Sequence, residues 1–455
     1  MTHLLSRITA PKLRGPALSL AAAAAVALAA AAPAHVGAQD EGGPTKGPFQ
    51  FEPLPTSAPC TDGGDPVAPF LVPEGYAQTV VASEPSFADA IDMNTVNETG
   101  PQAGRFLYRP SEGAVGEVTV TDLETGVTTR LAFRPDWERM DTIAWTPWGT
   151  LLVGEEATSQ SKPDLQFPQA QAGLMYELFL DPSDPTRLDL SKGDGTGIAA
   201  RPALGSKAHE GTRFDPQGNL YGISESNPGY IFRFVPDRRG DLSAGQLYAL
   251  KITGPTGDRT GEAVWVPLDR AQVQVNANAA AAAVGATGYN RPEDVETATS
   301  TGNNRGGSNT LYVAVTGRAA PVDERVIAVD LREPQGGGGH DTAFVYDYVR
   351  KGLNAPADFE MPDNLALDRA GNLYIAEDPA SAPVTRRGDD IWVATPGNGG
   401  PHAPAAQVAR FASLTDCQAE PTGIYFDKGG TTLFVNAQHR GGDTLDKAVA
   451  ITRLR

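Results

Sequence analysis

The feature that most constrains this chain is a short apolar strand that follows a turn and recurs six times. The copies read GRFLYRP, WGTLLVGEE, QGNLYGISES, SNTLYVAVTG, AGNLYIAEDP and GTTLFVNAQH. Their leucines, hereafter the marker leucines, are Leu107, Leu151, Leu220, Leu311, Leu373 and Leu433. The intervals between them are 44, 69, 91, 62 and 60 residues, and a bare propeller blade needs about 40–50 residues. Several repeats therefore carry insertions.

Short strands at semi-regular spacing, bounded by Gly and Asp turns, predict an all-β fold with radial repetition. The chain is also longer than the roughly 250–300 residues that one hydrophobic core supports. We therefore predict a six-bladed β-propeller with inserted loops over residues 69–455, and a pair of β-sandwiches is the alternative. The alanine-rich stretch at residues 277–284 predicts one short helix, with a flexible loop as the alternative.

The first 38 residues predict a secretory signal peptide. Arg7, Lys12 and Arg14 precede a 16-residue apolar run at residues 17–32, and small residues follow at positions 36–38. A membrane anchor needs about 20 strongly apolar residues, so cleavage is favoured over anchoring. Residues 39–68, rich in Gly, Pro, Thr and Ser, predict an extended leader. We expect a secreted or periplasmic protein with no membrane anchor after cleavage.

Charge and cysteine content agree with export. Beyond the signal segment the chain holds 34 basic and 55 acidic side chains, a net charge of −21. That charge repels nucleic acid and anionic lipid, and it suits a soluble exported protein or one that holds divalent cations. The two cysteines, Cys60 and Cys417, predict a disulfide in an oxidising compartment, with two free thiols as the alternative.

Acidic residues recur at similar places in the repeats. A first tier, 10 to 18 residues ahead of the marker leucines, consists of Asp141, Glu210, Glu293, Asp294, Asp363 and Glu420. A second tier, just after the marker strands, consists of Glu155, Glu156, Glu225, Glu377 and Asp378. Acids at the start of innermost strands would converge on the axis, where only cations could neutralise them. Calcium, with about six to eight oxygen ligands, fits this pattern. For each acid taken singly, a solvated turn is the alternative.

Cationic side chains accompany the acids. Arg291 precedes Glu293, and Lys207 and His209 precede Glu210. A phosphate group held near metal ions would need such donors. The alternatives are that the arginine pairs with a neighbouring acid and that the histidine bonds to a backbone carbonyl.

Six ordered blocks resemble the PhoX family of secreted bacterial alkaline phosphatases. They are TPWGTLLVGEE, SKAHEG, LSAGQLYALKITG with EAVWVPL, AVGATGYNRPEDVE, MPDNLALDRAGNLYIAED and EPTGIYFDKGGTTLFVNAQHRG, and they span about residues 140 to 440. The resemblance implies a six-bladed propeller that hydrolyses small phosphoesters at a central cluster of calcium and ferric iron. It implies metal ligation by Glu155, Glu156, Glu210, Glu293, Asp294, Asp363, Glu377, Asp378 and Glu420. It also implies that Arg291 and Lys207 bind the phosphoryl oxygens, with His209 of the same block as a candidate catalytic residue.

One position departs from the family pattern. The family has Cys-Glu-Glu, in which the thiolate binds iron, and this chain has Gly154 before Glu155 and Glu156. Calcium is therefore the expected cofactor, and iron is doubtful. Gly154 also favours an alternative, a non-catalytic calcium-stabilised propeller that binds a partner. A second alternative is a six-bladed lactonase-type hydrolase, for which Asn364 is the axial candidate.

Overall fold

The computed structural model describes residues 50–113, 116–254, 257–297, 309–317, 323–331, 341–378, 387–439 and 445–454. The predicted signal peptide and the first part of the predicted leader lie outside the described residues. Within the described part of the chain, no helix is both long and apolar enough to cross a membrane.

The described residues form 28 strands, which fall into six consecutive blades. The chain begins with β1 (Phe70–Leu71) and β2 (Tyr76–Ser83). Blade 1 contains β3 (Thr95–Val96), β4 (Phe106–Ser111), β5 (Glu117–Asp122) and β6 (Val127–Phe133). Blade 2 contains β7 (Met140–Trp145), β8 (Leu151–Glu155), β9 (Met175–Leu178), a two-stranded insertion of β10 (Leu180–Asp181) and β11 (Asp184–Leu188), and β12 (Ile198–Ala200).

Blades 3 and 4 form one nine-stranded sheet. Blade 3 contains β13 (Thr212–Phe214), β14 (Leu220–Ile223), β15 (Ile231–Arg238) and β16 (Asp241–Ile252), followed by β17 (Gly261–Pro267). Blade 4 contains β18 (Pro292–Thr297), β19 (Thr310–Val315), β20 (Arg325–Asp330) and β21 (Thr342–Arg350). The two blades are joined because β17 pairs with both β16 and β21.

The last two blades receive strands from the N-terminus. Blade 5 contains β22 (Pro362–Leu367), β23 (Leu373–Glu377), β24 (Asp390–Ala394) and β25 (Val408–Leu414), and β1 pairs with β25. Blade 6 contains β26 (Ala419–Phe426), β27 (Thr432–His439) and β28 (Lys447–Arg453), and β2 completes it. Cys60 and Cys417 form a disulfide with a Cα–Cα distance of 5.1 Å, which confirms the predicted pairing. The ring is thus closed by strand pairing and by a covalent link.

The marker strands are continuously apolar because each blade is packed on both faces. Successive strand residues point to opposite faces. Leu151 and Val153 therefore pack between blades 1 and 2, while Leu152 packs between blades 2 and 3. Six such clusters separate neighbouring blades, and the cluster formed by Val96 and Leu107 with Phe434 joins blade 1 to blade 6. These contacts confirm the predicted six-bladed, all-β propeller.

The insertions supply the helical content of the described residues. The helix α1 (Arg270–Ala283) begins at an Asp269 side chain that accepts from the amides of Ala271 and Gln272. Its buried alanines pack against the cluster between blades 2 and 3, so the predicted short helix is confirmed. Two 3-10 turns, Gly193–Gly195 and Pro202–Leu204, complete the set.

Candidate metal centre

The innermost part of every blade brings one acidic side chain to the propeller axis. These residues, hereafter the inner ring, are Asp92, Asp141, Glu210, Glu293, Asp363 and Glu420, and all six are buried. Burial, followed by the charges of Asp141, Glu112, Asp363 and Glu420, raises the pKa of Asp92 well above its usual range. Acids from blades 1, 2, 5 and 6 therefore act on one another across the axis. Five of the six inner-ring acids belong to the tier predicted from the sequence.

Local backbone geometry aims several of these acids. The strand register shifts between Met140 and Ile143, between Pro292 and Val295, and between Pro362 and Leu365. Each interval contains an inner-ring acid and the residue after it. A β-bulge releases residues from the ladder and redirects their side chains. The acids in β7, β18 and β22 are therefore free to leave the pairing plane.

The ends of the second strands form an outer ring, one residue per blade and five positions after each marker leucine. It consists of Glu112, Glu156, Glu225, Thr316, Asp378 and Gln438. In the first five blades, the backbone amide of the outer-ring residue donates to the carbonyl two positions before the inner-ring acid, at 2.8–3.2 Å. Side chains also join the rings, since Thr316 Oγ1 donates to Glu293 Oε1 at 2.5 Å. A repeated backbone contact thus places the two rings against each other.

Among the described residues, three groups of three carboxylates have the spacing of cation sites, and two of these groups lie at the rings. One group contains Asp92, Glu112 and Asp141, and the other contains Glu210, Glu225 and Glu293. In each group one carboxylate oxygen per residue lies within 4.8 Å of the others. Each group combines inner-ring and outer-ring residues, so the sites arise where the two rings meet.

The electrostatics of the rings are those of acids without enough counter-charge. Burial, and then neighbouring carboxylates, raises the pKa values of Asp141 and Glu210 well above the usual range. Burial, and then the charge of Asp378, raises the pKa of Asp363 to about 7. Glu156 has a raised pKa through burial and its proximity to Glu225. Removing protons from this cluster therefore requires cations.

Arg291, a site residue predicted from the sequence, supplies part of the positive charge that these acids need. Its Nε lies 2.5 Å from Glu225 Oε1 and 3.1 Å from Glu293 Oε1, and its Nη1 lies 2.8 Å from Asp378 Oδ2. Its pKa is raised: burial alone would lower it, but the three carboxylates more than offset this. The structure thus brings Arg291 into the centre of the two rings.

Glu155 and Glu377, which directly precede outer-ring acids, point into their own blades. Glu155 accepts hydrogen bonds from the amides of Glu138 and Leu174 at 3.1 and 3.0 Å. Glu377 accepts from Trp392 Nε1 at 2.7 Å and from the amide of Asp390 at 3.0 Å. Successive residues at a strand end face opposite ways, so these two carboxylates brace loops while Glu156 and Asp378 face the axis.

Asp294 joins neighbouring blades. Its Oδ2 accepts from the amide of Leu365 in blade 5 at 2.8 Å and lies 3.5 Å from Arg213 Nη2. Its Oδ1 accepts from the amide of Val295. Asp294 thus follows Glu293 in the bulge, and its carboxylate binds groups of blades 3, 4 and 5.

Lys207 and His209 are not brought to the rings. Lys207 Nζ lies 2.6 Å from His209 Nδ1 and over the ring of Phe232, and His209 Nε2 donates to the carbonyl of Gly205 at 2.9 Å. Burial lowers the pKa of Lys207 well below its usual range, and burial together with the lysine charge does the same for His209. Their contacts are those of a buried pair between blades 2 and 3.

The sequence analysis did not identify four ring residues, Asp92, Glu112, Thr316 and Gln438, or the adjacent Arg139. Asp92 lies 15 residues ahead of Leu107, and Glu112 lies five residues after it. The offset of Glu112 equals that of Glu156 and Glu225, so counting from the first marker leucine could have found it. Arg139, which contacts Glu112 and Glu156, occupies the place in blade 2 that Arg291 occupies in blade 4.

The donor set fits a hard divalent cation. Within the described residues, six buried side-chain oxygens at the rings or one to two positions beyond them have no hydrogen-bond partner: Asp92 Oδ1, Asn94 Oδ1, Asp141 Oδ1, Thr142 Oγ1, Glu293 Oε2 and Gln438 Oε1. Buried polar atoms without partners are costly unless a ligand satisfies them. Oxygen-only sites of this kind suit calcium or magnesium.

A thiolate-bound iron does not fit at Gly154. A Cβ atom built there would lie 2.7 Å from Thr142 Cγ2 and 3.0 Å from His209 Cβ. Both cysteines are in the disulfide. The side chains of Thr142 and His209 therefore occupy the space that a cysteine at this position would need.

Comparison with known proteins gives a family and a fold. The family model described as alkaline phosphatase PhoX matches residues 144–441. Among solved structures, Pseudomonas fluorescens PhoX in complex with vanadate, a transition state analogue, aligns with a TM-score of 0.60 at 17% identity, covering 87% of this chain and 98% of that chain. No curated protein sequence matches.

Two further solved structures align with lower TM-scores. A gluconolactonase from Xanthomonas campestris aligns with a TM-score of 0.42 at 14% identity, covering 88% of this chain and 98% of that chain. A virginiamycin B lyase from Staphylococcus aureus gives 0.42 at 12%, covering 83% of this chain and 99% of that chain.

Proposed function

The chain belongs to the alkaline phosphatase PhoX family, and on that premise we propose that it is a calcium-dependent hydrolase of small phosphoric monoesters. The observation that carries the proposal is the pair of three-carboxylate groups on the axis. Their buried oxygens without partners call for cations, and a phosphoryl group is a natural further ligand for such cations. That the Pseudomonas fluorescens PhoX structure holds vanadate supports phosphoryl chemistry on this fold.

The cation sites are assigned to the two groups on the axis. Asp92, Glu112 and Asp141 would hold one calcium ion, and Glu210, Glu225 and Glu293 would hold another. Bound calcium supplies Lewis-acid polarisation of phosphoryl oxygens and neutralises charge that develops on them. Glu156, Asp363, Asp378 and Glu420 surround the groups and would add oxygens or negative charge.

Arg291 is the residue assigned to the phosphoryl group. Its guanidinium lies between Glu225, Glu293 and Asp378, so calcium bound by the two glutamates would compete for the oxygens that Arg291 contacts. The released N–H groups can donate to non-bridging oxygens in the paired geometry that guanidinium and phosphate share. Glu155, Glu377 and Asp294 would act by holding the loops and strands around the site.

The test is hydrolysis of p-nitrophenyl phosphate between pH 7 and 10, in calcium and in a calcium chelator. The wild type should release nitrophenol only with calcium. Asp141→Asn should lose at least about a hundredfold in turnover, since electrostatic contributions of this kind reach that size. Glu74→Gln, an exposed acid remote from the rings, should behave like the wild type.

Folded, calcium-loaded protein that hydrolyses no phosphomonoester would overturn the proposal. Calcium-dependent melting without hydrolysis would instead indicate a binding propeller, the alternative that Gly154 favours. A lactonase would show the reverse pattern, with lactone hydrolysis and no phosphatase activity.

We also propose that the protein is exported and carries calcium rather than iron. The oxygen-only rings and the crowded position of Gly154 support calcium, and the disulfide supports an oxidising compartment. Elemental analysis of purified protein and fractionation of expressing cells test the two statements separately.

A further inference from the structure

Arg139 and Arg291 occupy equivalent places in blades 2 and 4. Each lies two positions before an inner-ring acid, and each carbonyl accepts from the amide of its outer-ring residue. Both residues have a left-handed backbone, with φ of 49° and 58°. Ala90 and Met361 share this geometry in blades 1 and 5. The turn therefore belongs to the fold, whereas the arginine side chain is specific to blades 2 and 4.

The two guanidinium groups differ in how fully acids engage them. Arg291 contacts three carboxylates, and its side chain is 21% exposed. Arg139 contacts two, Glu112 at 3.5 Å and Glu156 more closely, and its side chain is 51% exposed. Both contacts of Arg139 use Nη2. Within the described residues its Nε and Nη1 have no carboxylate partner, so these donors remain available at the mouth of the rings.

A phosphoester dianion must approach a site lined with carboxylates on a chain of formal net charge −18. Like charges repel it, so cations at the entrance are needed to bind it. Arg139 is half exposed and lies against the outer ring, so an incoming anion meets it before it reaches the more buried Arg291. The planar guanidinium also matches phosphate geometry better than an ammonium does.

We propose that Arg139 is a second phosphoryl-binding residue, which captures the ester at the mouth of the rings and holds its oxygens together with Arg291. The proposal rests on the phosphatase function above. It assigns Arg139 to substrate binding and gives Glu112 and Glu156 the role of orienting its guanidinium.

The experiment measures binding of inorganic phosphate to calcium-loaded protein by calorimetry, independently of turnover. Arg139→Ala should weaken phosphate binding by about tenfold to a hundredfold, the range for hydrogen bonds to charged groups. Arg139→Lys should give an intermediate loss, because it keeps the charge and loses the paired donors. Arg130→Ala, which removes an exposed arginine 3.6 Å from Glu117 in blade 1, should leave affinity unchanged.

Calcium content and the thermal midpoint should be unchanged in Arg139→Ala. A phosphate affinity within twofold of wild type, or a loss of bound calcium that accounts for the weaker binding, would overturn the inference. Different outcomes refute the proposed function and the role of Arg139. Phosphate binding that depends on Arg139 without any hydrolysis would refute only the phosphatase, and hydrolysis with undiminished phosphate affinity in Arg139→Ala would refute only the role of Arg139.

Discussion

Buried carboxylates occur in two contrasting regions of this propeller, on the axis and beside His439 in blade 6. On the axis, burial and like charges raise the pKa of Asp141 well above its usual range. In blade 6, the Nε2 of His439 donates to Asp416 Oδ2 at 2.8 Å and its Nδ1 donates to Asp446 Oδ1 at 3.1 Å. Although burial opposes it, the hydrogen bond from His439 is the main reason that the pKa of Asp416 is lowered.

The difference shows what separates a structural ion pair from a binding site. Both regions bury acids, but blade 6 supplies its own cation, and the contact lies next to Cys417 at the closure of the ring. The axial rings gather more negative charge than Arg139 and Arg291 can neutralise. Their burial cost is therefore removed only when an external cation binds.

Calcium removal should produce the largest effect. Saturating calcium should raise the free energy of unfolding by about 4 kcal/mol per site at a thousandfold excess over Kd. In chelator, the pKa of Asp363 is about 7 in the folded protein and about 4 in the unfolded chain. Its protonation therefore adds to the stability of the folded protein below pH 4, and this stabilisation is lost as the pH rises through 7. Thermal melting should therefore show a larger calcium effect at pH 8 than at pH 5. Equal midpoints with calcium and chelator at both pH values would contradict this.

Replacing an acid by its amide should have opposite signs in the two regions. In calcium-free protein, Asp141→Asn should raise the free energy of unfolding by about 1 kcal/mol, because it removes one of several buried like charges. Asp416→Asn should lower it by about 1–3 kcal/mol, because His439 loses a charged partner. Urea denaturation measures both, with Glu74→Gln as the neutral reference. If both substitutions changed the free energy of unfolding in the same direction, the predicted contrast between the two regions would be wrong.

His439→Gln should have the smallest and most pH-dependent effect. Burial opposes its charge, but the hydrogen bonds with Asp416 and Asp446 raise the pKa of His439 to about 9, compared with about 6.5 when unfolded. Its stabilisation is therefore complete below pH 6.5 and is lost as pH rises through 9. The free energy of unfolding of the wild type should exceed that of the variant by about 1–2 kcal/mol at pH 6 and by much less at pH 10. Urea unfolding at constant calcium tests this. If the difference in the free energy of unfolding did not depend on pH, the imidazole of His439 would not be held as a cation.

Much of the fold could be predicted because its information is local. The marker leucines repeat along the chain, and each strand alternates between two buried blade interfaces. The register that locates Asp141, Glu210 and Asp363 ten residues ahead of a leucine is equally local. Asp92 escaped it because β3 has only two residues and the separation from Leu107 is longer.

The paired acids show where local information ends. Glu155 and Glu156 are neighbours of the same residue type. Nothing in the sequence shows that Glu155 accepts a hydrogen bond from the amide of Leu174 whereas Glu156 faces the axis. The direction of each depends on which face of the strand end meets the axis. The proximity of Lys207 and His209 to Glu210 in the chain suggested a role at the site, but the two side chains contact each other, and Lys207 lies over the ring of Phe232.

The sequence by itself determined a ring of six short-stranded blades and the supply of carboxylates near their inner ends, because strand periodicity and turn chemistry act over a few residues. Only the tertiary structure decided which acids meet as groups of three, that Arg139 is half exposed while Arg291 is more buried, and that His439 has its own pair of acids. Those contacts join residues from different blades, and their energies depend on burial and on the sum of neighbouring charges, which no single stretch of chain carries.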